Sequence, residues 1–261
     1  MIKGQQAKKR IHFLDELRGL AVFCMIFYHA FYIFGSFFEW EWANFLFEFF
    51  MPVQPFFAGI FIFICGISCT LTKSNLKRGT VLLGAALGMT LVTAVIMPKM
   101  GFADCEIYFG ILHFLSASII IYALLSKPLK NISPFAGILL CAVLYAFTSG
   151  IGSGRLEYGE LISFSVPDSL YESNVLMPLG IYSSSFYSAD YFPLFPDIFI
   201  FLAGAFCGTY YAKNGYPEWS YNKRIPFFGF LGKKALIIYI VHMPLVYVIA
   251  YVIDWLIKMF K

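Results

Sequence analysis

Long apolar stretches broken by short polar joints dominate the chain. They lie at about 17 to 38, 52 to 72, 80 to 97, 107 to 126, 134 to 150, 192 to 212 and 233 to 257. At a rise of about 1.5 Å per residue, stretches of this length cross a hydrocarbon layer of roughly 30 Å with some tilt. The pattern therefore predicts an all-α polytopic integral membrane helical bundle of about seven transmembrane helices. Residues 1 to 261 read as one transmembrane domain, with a single long joint, about 151 to 191, outside the membrane.

The charges in the joints set an orientation. With the N-terminus cytoplasmic, fifteen of the nineteen Lys and Arg residues fall inside, and Lys99, Arg155, Lys258 and Lys261 remain outside. Twelve of the fifteen acids fall outside. This asymmetry is the one expected of a multi-pass protein of the cell membrane. Composition agrees, because 60% hydrophobic and 13% charged residues exclude an ordinary soluble domain. The net charge of +4 would suggest nucleic acid in a soluble protein. Here it is spent on the inner joints, so the partner is the lipid bilayer and no nucleic acid is expected. The first apolar run starts near Leu17 and is not closed by a small-residue cleavage site, so it reads as a signal anchor. Five cysteines, Cys24, Cys65, Cys69, Cys141 and Cys207, sit in apolar runs as small packing residues. Only Cys105 looks exposed, and neither a disulfide nor a metal site is expected.

Against this apolar background a few polar residues stand out. Leu14 to Ala30, LDELRGLAVFCMIFYHA, places Asp15 and Arg18 at the mouth of the first span and His29 deep within it. The step from Arg18 to His29 is close to three turns, so both fall on one face, about 16 Å apart along the axis. An ionisable group at that depth is a functional candidate by default. His113 lies about two turns below the outer surface in the fourth span, and His242 about ten residues into the last, followed by Pro244, which should kink that helix. A hydrogen-bonded core histidine is the plainer reading of His113. Gly59, Gly66 and Ser68, and then Gly84, Ala85, Ala86 and Gly88, make small-residue faces suited to close helix packing. GSFFEWEWANFLFEFF suits an interfacial helix with Trp40 and Trp42 at headgroup level, or the lining of a vestibule. Asp197 is a further buried-carboxylate candidate, and YNKRIPFFGFLGKK reads as a basic amphipathic segment on the inner surface. The Ser- and Tyr-rich joint at 151 to 191 could hold a sugar or merely cap the bundle.

Together these features describe a two-sided device. Coenzyme A carries phosphates that suit a Lys/Arg rim, and its thin pantetheine arm can reach toward the bilayer centre. Candidate ligands are Arg18, Lys77, Arg78 and Lys233, with His242 beside them. A neutral imidazole at the thioester could act as general base on an incoming amine or hydroxyl, or take the acyl group itself. Catalytic candidates are His29, His113 and Asp15.

RIHFLDELRGLAVFCMIFYHAFY resembles the first motif of the heparan-alpha-glucosaminide N-acetyltransferase catalytic-domain family. Further matches are GIFIFICGIS, FGILHFL, DYFPLFPDIFIFLAGAFCG and LGKKALIIYIVHMPL, so the resemblance spans nearly the whole chain. The ten-residue gap between Arg18 and His29 is also similar to that of the acyltransferase-three membrane family. The resemblance implies acetyl transfer from cytoplasmic acetyl-CoA to an extracytoplasmic glycan or amino sugar, with Asp15 and Arg18 organising the inner mouth and His113 and His242 supporting His29. Ala30 to Phe50 holds no histidine, so the luminal histidine proposed for the lysosomal enzyme has no counterpart there, and His29 rests on the acyltransferase-three spacing. Two other classes remain open. The fold could serve a non-catalytic transporter or partner subunit, or the three histidines could ligate haem. A homodimer is compatible with all of these.

Overall fold

The computed structural model describes residues 10–100, 105–159 and 161–259. Its elements follow in the order α1 (His12–Ser36), α2 (Glu41–Phe50), α3 (Gln54–Leu71), α4 (Asn75–Thr90), α5 (Met97–Lys99), α6 (Ile111–Leu129), α7 (Pro134–Thr148), β1 (Arg155–Tyr158), β2 (Ile162–Ser165), α8 (Ile198–Asn214), α9 (Pro226–Lys233) and α10 (Ala235–Met259). A π-helical stretch, Leu91–Ile96, joins α4 to α5. The fold is an all-α membrane bundle, with six helical stretches long and apolar enough to cross a bilayer among the described residues. The seventh stretch, placed at 192 to 212 by the sequence, is the 17-residue α8. Its helix starts only at Ile198, because Pro193 and Pro196 lack the backbone N–H that an earlier helix interior would require. The basic head before Arg10, Asp104, Glu160 and Lys261 lie outside the described residues.

Where the sequence reads as one domain, the contacts group the chain into two compact units. One comprises the chain to Phe61 and from Gly215 onward; the other is Ile62–Asn214.

In the first unit, α1 is the central element. Near its N-terminal end α9 runs antiparallel to it at backbone contact. A Cβ on Gly19 would fall 1.8 Å from the Phe228 carbonyl oxygen, and one on Gly232 would fall 1.9 Å from that of Asp15. Only glycine allows this approach, so the segment expected to rest on the inner surface is instead clamped to the first helix. Farther along, α1 and α10 run parallel: His29 meets His242, and Ile33 packs with Val246 and Ala250. The helix α10 continues unbroken through Pro244. The short helix α2 folds back on the C-terminal half of α1, with Phe47 between Tyr28 and Tyr32 at 4.9 and 5.5 Å and Trp42 at 6.0 Å from Phe34.

In the second unit, α6 carries the buried core, including Phe114 and Ile119. It runs antiparallel to α4, since Gly79 abuts Ile120 while Thr90 reaches His113. The helix α8 packs on α7 through Phe206 against Gly137, and parallel to α3, with Gly66 on the Phe201 carbonyl and Gly204 on the Phe63 carbonyl. Cys105, expected to be exposed, is half-buried and donates its S–H to the Thr93 carbonyl at 3.6 Å. The joint after α7 is likewise no bare loop. It contains the antiparallel β1–β2 hairpin and several short 3-10 turns.

Candidate active site

The first unit brings two of the three candidate histidines into direct contact. His242, buried in α10, donates from Nδ1 to the carbonyl of Tyr239 at 2.6 Å. A carbonyl can only accept, so in a neutral ring the proton of His242 sits on Nδ1 and Nε2 is left as an acceptor. That Nε2 lies 3.1 Å from Nδ1 of His29. The tautomer that satisfies both rings has His29 donating from Nδ1, which leaves the lone pair of its Nε2 available. His29 itself is half-buried, whereas His242 is enclosed. This is the arrangement of an oriented base: the second imidazole fixes the tautomer and rotamer of the first, as hydrogen-bond partners of functional histidines commonly do. The sequence grouped His242 with the cofactor ligands and, through the resemblance, as a support for His29; the structure places it beside His29.

At the N-terminal end of α1, Asp15 is buried between two guanidiniums. Arg10 donates from Nε to Oδ2 at 2.6 Å, and Arg18 from Nη1 to Oδ1 at 3.3 Å. The hydrogen bond to Asp15 raises the pKa of Arg10 above its ordinary value. Two cations on one carboxylate leave a net positive charge at the mouth, and Arg10 is largely exposed. Lys233 follows Gly232 at the point where α9 touches Asp15, and its side chain is exposed. The cluster therefore combines a fixed carboxylate with cations that still face outward.

Sequence reasoning passed over Glu16. Its side chain is buried, and Oε1 accepts the backbone N–H of Arg224 at 2.8 Å and of Ile225 at 3.0 Å. A carboxylate at that place satisfies donors at the start of α9 and favours its positive end. Glu16 thus holds the helix that carries Lys233 against the helix that carries Asp15, Arg18 and His29. Its partners lie more than 200 residues away in the chain, so no local pattern could have pointed to them.

The remaining candidates belong to the second unit. His113 accepts the Gly110 N–H at Nδ1 (3.3 Å), and its Nε2 stands 3.1 Å from Thr90 Oγ1, which donates onward to the Ile107 carbonyl at 2.7 Å. Both ring nitrogens are thereby engaged in closing the start of α6, where Asp190 also accepts the Ile111 N–H at 3.0 Å. This geometry is that of the hydrogen-bonded core histidine. Arg78 is half-buried and turns its guanidinium to the Cys65 and Cys69 sulfurs at 3.4 and 3.9 Å, while Lys77 is exposed. In the outer segment Tyr182, Phe186 and Tyr191 form a ring cluster with centroids 5.0 to 5.2 Å apart. Tyr191 donates to the Met177 carbonyl at 2.7 Å, and burial pushes its phenol pKa up. Asp197 is half-buried, and its carbonyl receives the N–H of Ile200 and Phe201 at the start of α8. Among the described residues no group of three or more metal-ligating side chains occurs.

Compared with known proteins, residues 10–244 match the family model described as "Heparan-alpha-glucosaminide N-acetyltransferase, catalytic". No curated protein and no solved structure matches the chain.

Proposed function

We propose, from the premise that the chain belongs to the heparan-alpha-glucosaminide N-acetyltransferase catalytic family, that it moves an acetyl group from cytoplasmic acetyl-CoA to a sugar amine or hydroxyl outside the cell membrane. Family membership makes acetyl transfer the general activity; donor, acceptor and sidedness are the finer reading. The observation that carries it is the histidine pair, because it presents an oriented lone pair at His29 Nε2 in the same helix as a cationic mouth at Asp15, Arg10 and Arg18.

In this reading the phosphates of the donor meet Arg18 and Lys233 at the inner end, and the thioester lies near His29. His29 Nε2 takes the proton from the attacking amine or hydroxyl as the new N–C or O–C bond forms. The C–S bond breaks, and coenzyme A leaves as a thiolate that is then protonated. Asp15 positions the guanidiniums. His242 is a positioning residue for His29. His113 is a brace for α6.

Sidedness is supported by helix direction. Helices α1 and α10 run parallel, so an odd number of crossings must separate them. The spans of α3, α4, α6 and α7 supply four, and α8 completes five. The bundle then has seven crossings and an N-terminus on the Lys/Arg-rich side, which is the cytoplasmic one.

The reading is tested by binding of acetyl-CoA to the detergent-solubilised chain, followed by acetate content of surface glycans from cells with and without the protein. Saturable binding together with a loss of glycan acetate in its absence supports transfer. Absence of binding, with unchanged glycans, overturns it.

A further inference from the structure

The hairpin that follows α7 is amphipathic in a way that nothing in acetyl transfer requires. Its register pairs Leu156 with Phe164 and Tyr158 with Ile162, and in the alternate positions Arg155 with Ser165 and Glu157 with Ser163. Side chains alternate across a strand, and directly paired residues share a face. One face is therefore wholly apolar, Leu156, Tyr158, Ile162 and Phe164, and the other wholly polar. The apolar face is not packed away: Phe164 is 60% exposed, Ile162 48% and Tyr158 46%. A two-stranded hairpin is marginal in water at best, and a contiguous exposed apolar patch marks an interaction surface.

The position of the hairpin identifies its occupant. It leaves the outer end of α7 after one short turn, and Phe164 meets Phe147 in the last turn of that helix, edge to face, at 6.4 Å. The flank of α7 is itself apolar and exposed through Leu139, Leu140 and Val143, as a membrane-crossing helix requires. The apolar face of the hairpin is thus continuous, through the Phe147–Phe164 contact, with a surface already turned to lipid. Aromatic side chains at Tyr158 and Phe164 suit the water–hydrocarbon boundary, and Arg155, Glu157, Ser163 and Ser165 provide the wet face.

We infer that the β1–β2 hairpin is a membrane-interface anchor, lying with Leu156, Tyr158, Ile162 and Phe164 in the outer leaflet and its polar face in water. The inference rests on the membrane setting of α7 and is independent of the proposed chemistry.

It is tested with the full chain in phosphatidylcholine and phosphatidylglycerol nanodiscs, carrying a nitroxide at Ile162→Cys or Ser163→Cys, with the unsubstituted protein setting the background from native cysteines. Both positions are exposed, so neither change disturbs packing. Collision with oxygen, which concentrates in lipid, is compared with collision with a water-soluble nickel chelate. The anchor predicts an oxygen-to-nickel ratio several-fold higher at position 162 than at 163. Equal ratios at the two positions, or nickel preference at 162, overturn it, as would spin–spin broadening at 162 that reports a face shared by two copies.

Discussion

Nε2 of His242 stands 3.1 Å from Nδ1 of His29, across two helices that run side by side in the same direction. Because the Tyr239 carbonyl fixes the proton on His242 Nδ1, the relationship has a sense: His242 accepts and His29 donates. His242→Ala removes this orientation without removing the base. We expect kcat to fall about 100-fold, the scale of a misplaced catalytic group, with acetyl-CoA affinity unchanged. His242→Gln can still accept from His29 through its amide oxygen and should recover part of the loss. Steady-state kinetics on both variants, with a separate binding isotherm, distinguishes this role from a ligand role, in which affinity itself would drop.

The cationic mouth predicts salt sensitivity. Arg10 is largely exposed, and interactions of exposed charges are screened over about 10 Å at 0.1 M salt and about 3 Å at 1 M. Acetyl-CoA binding should weaken steadily as sodium chloride rises, and Arg18→Ala should both weaken binding and flatten that dependence. An affinity indifferent to salt would separate the mouth from the donor.

Glu16 offers a prediction about stability. Glu16→Ala leaves the Arg224 and Ile225 amides without their acceptor; both residues are exposed, so water can replace it and the loss is that of an ordinary hydrogen bond, about 1 kcal/mol each. Thermal unfolding in detergent should shift down clearly. Glu16→Gln, which retains one acceptor oxygen, should lose less. Unaltered melting of the alanine variant would mean that the buried carboxylate is not what pins α9.

Glycine substitutions should divide sharply. At Gly232 an added Cβ meets the Asp15 carbonyl oxygen, so Gly232→Ala must separate α1 from α9. At Gly84 an added Cβ has nothing within 4 Å, and the exchange there should stabilise the helix by about 0.5–1 kcal/mol. Melting temperatures of the two variants check the contrast, which is expected to be opposite in sign.

Much of the architecture was legible because lipid imposes a simple rule: a crossing helix must be apolar for its whole length, and hydropathy records that directly. That Arg18 and His29 lie on one helix, about three turns apart, followed from the apolar run and helical rise alone. What the chain could not display were relationships that depend on folding. The partner of His29 lies 213 residues away, and those of Glu16 lie 208 and 209 residues away. The late start of α8 was masked by the apolar residues around Pro193 and Pro196, which read as span although prolines interrupt them. The hairpin did carry a signal, since RLEY and ISFS alternate with period two around Gly159. Eight strand residues within a long joint are easily read as loop.

The account turns on whether His29 performs the transfer. The most direct measurement is a single turnover with acetyl-labelled acetyl-CoA by His29→Ala in proteoliposomes, with donor binding measured on the same preparation. The proposed chemistry predicts that the donor still binds and that label reaches the acceptor about 10²–10⁴-fold more slowly, the range lost with a positioned base. Transfer at the rate of the unsubstituted protein would contradict it.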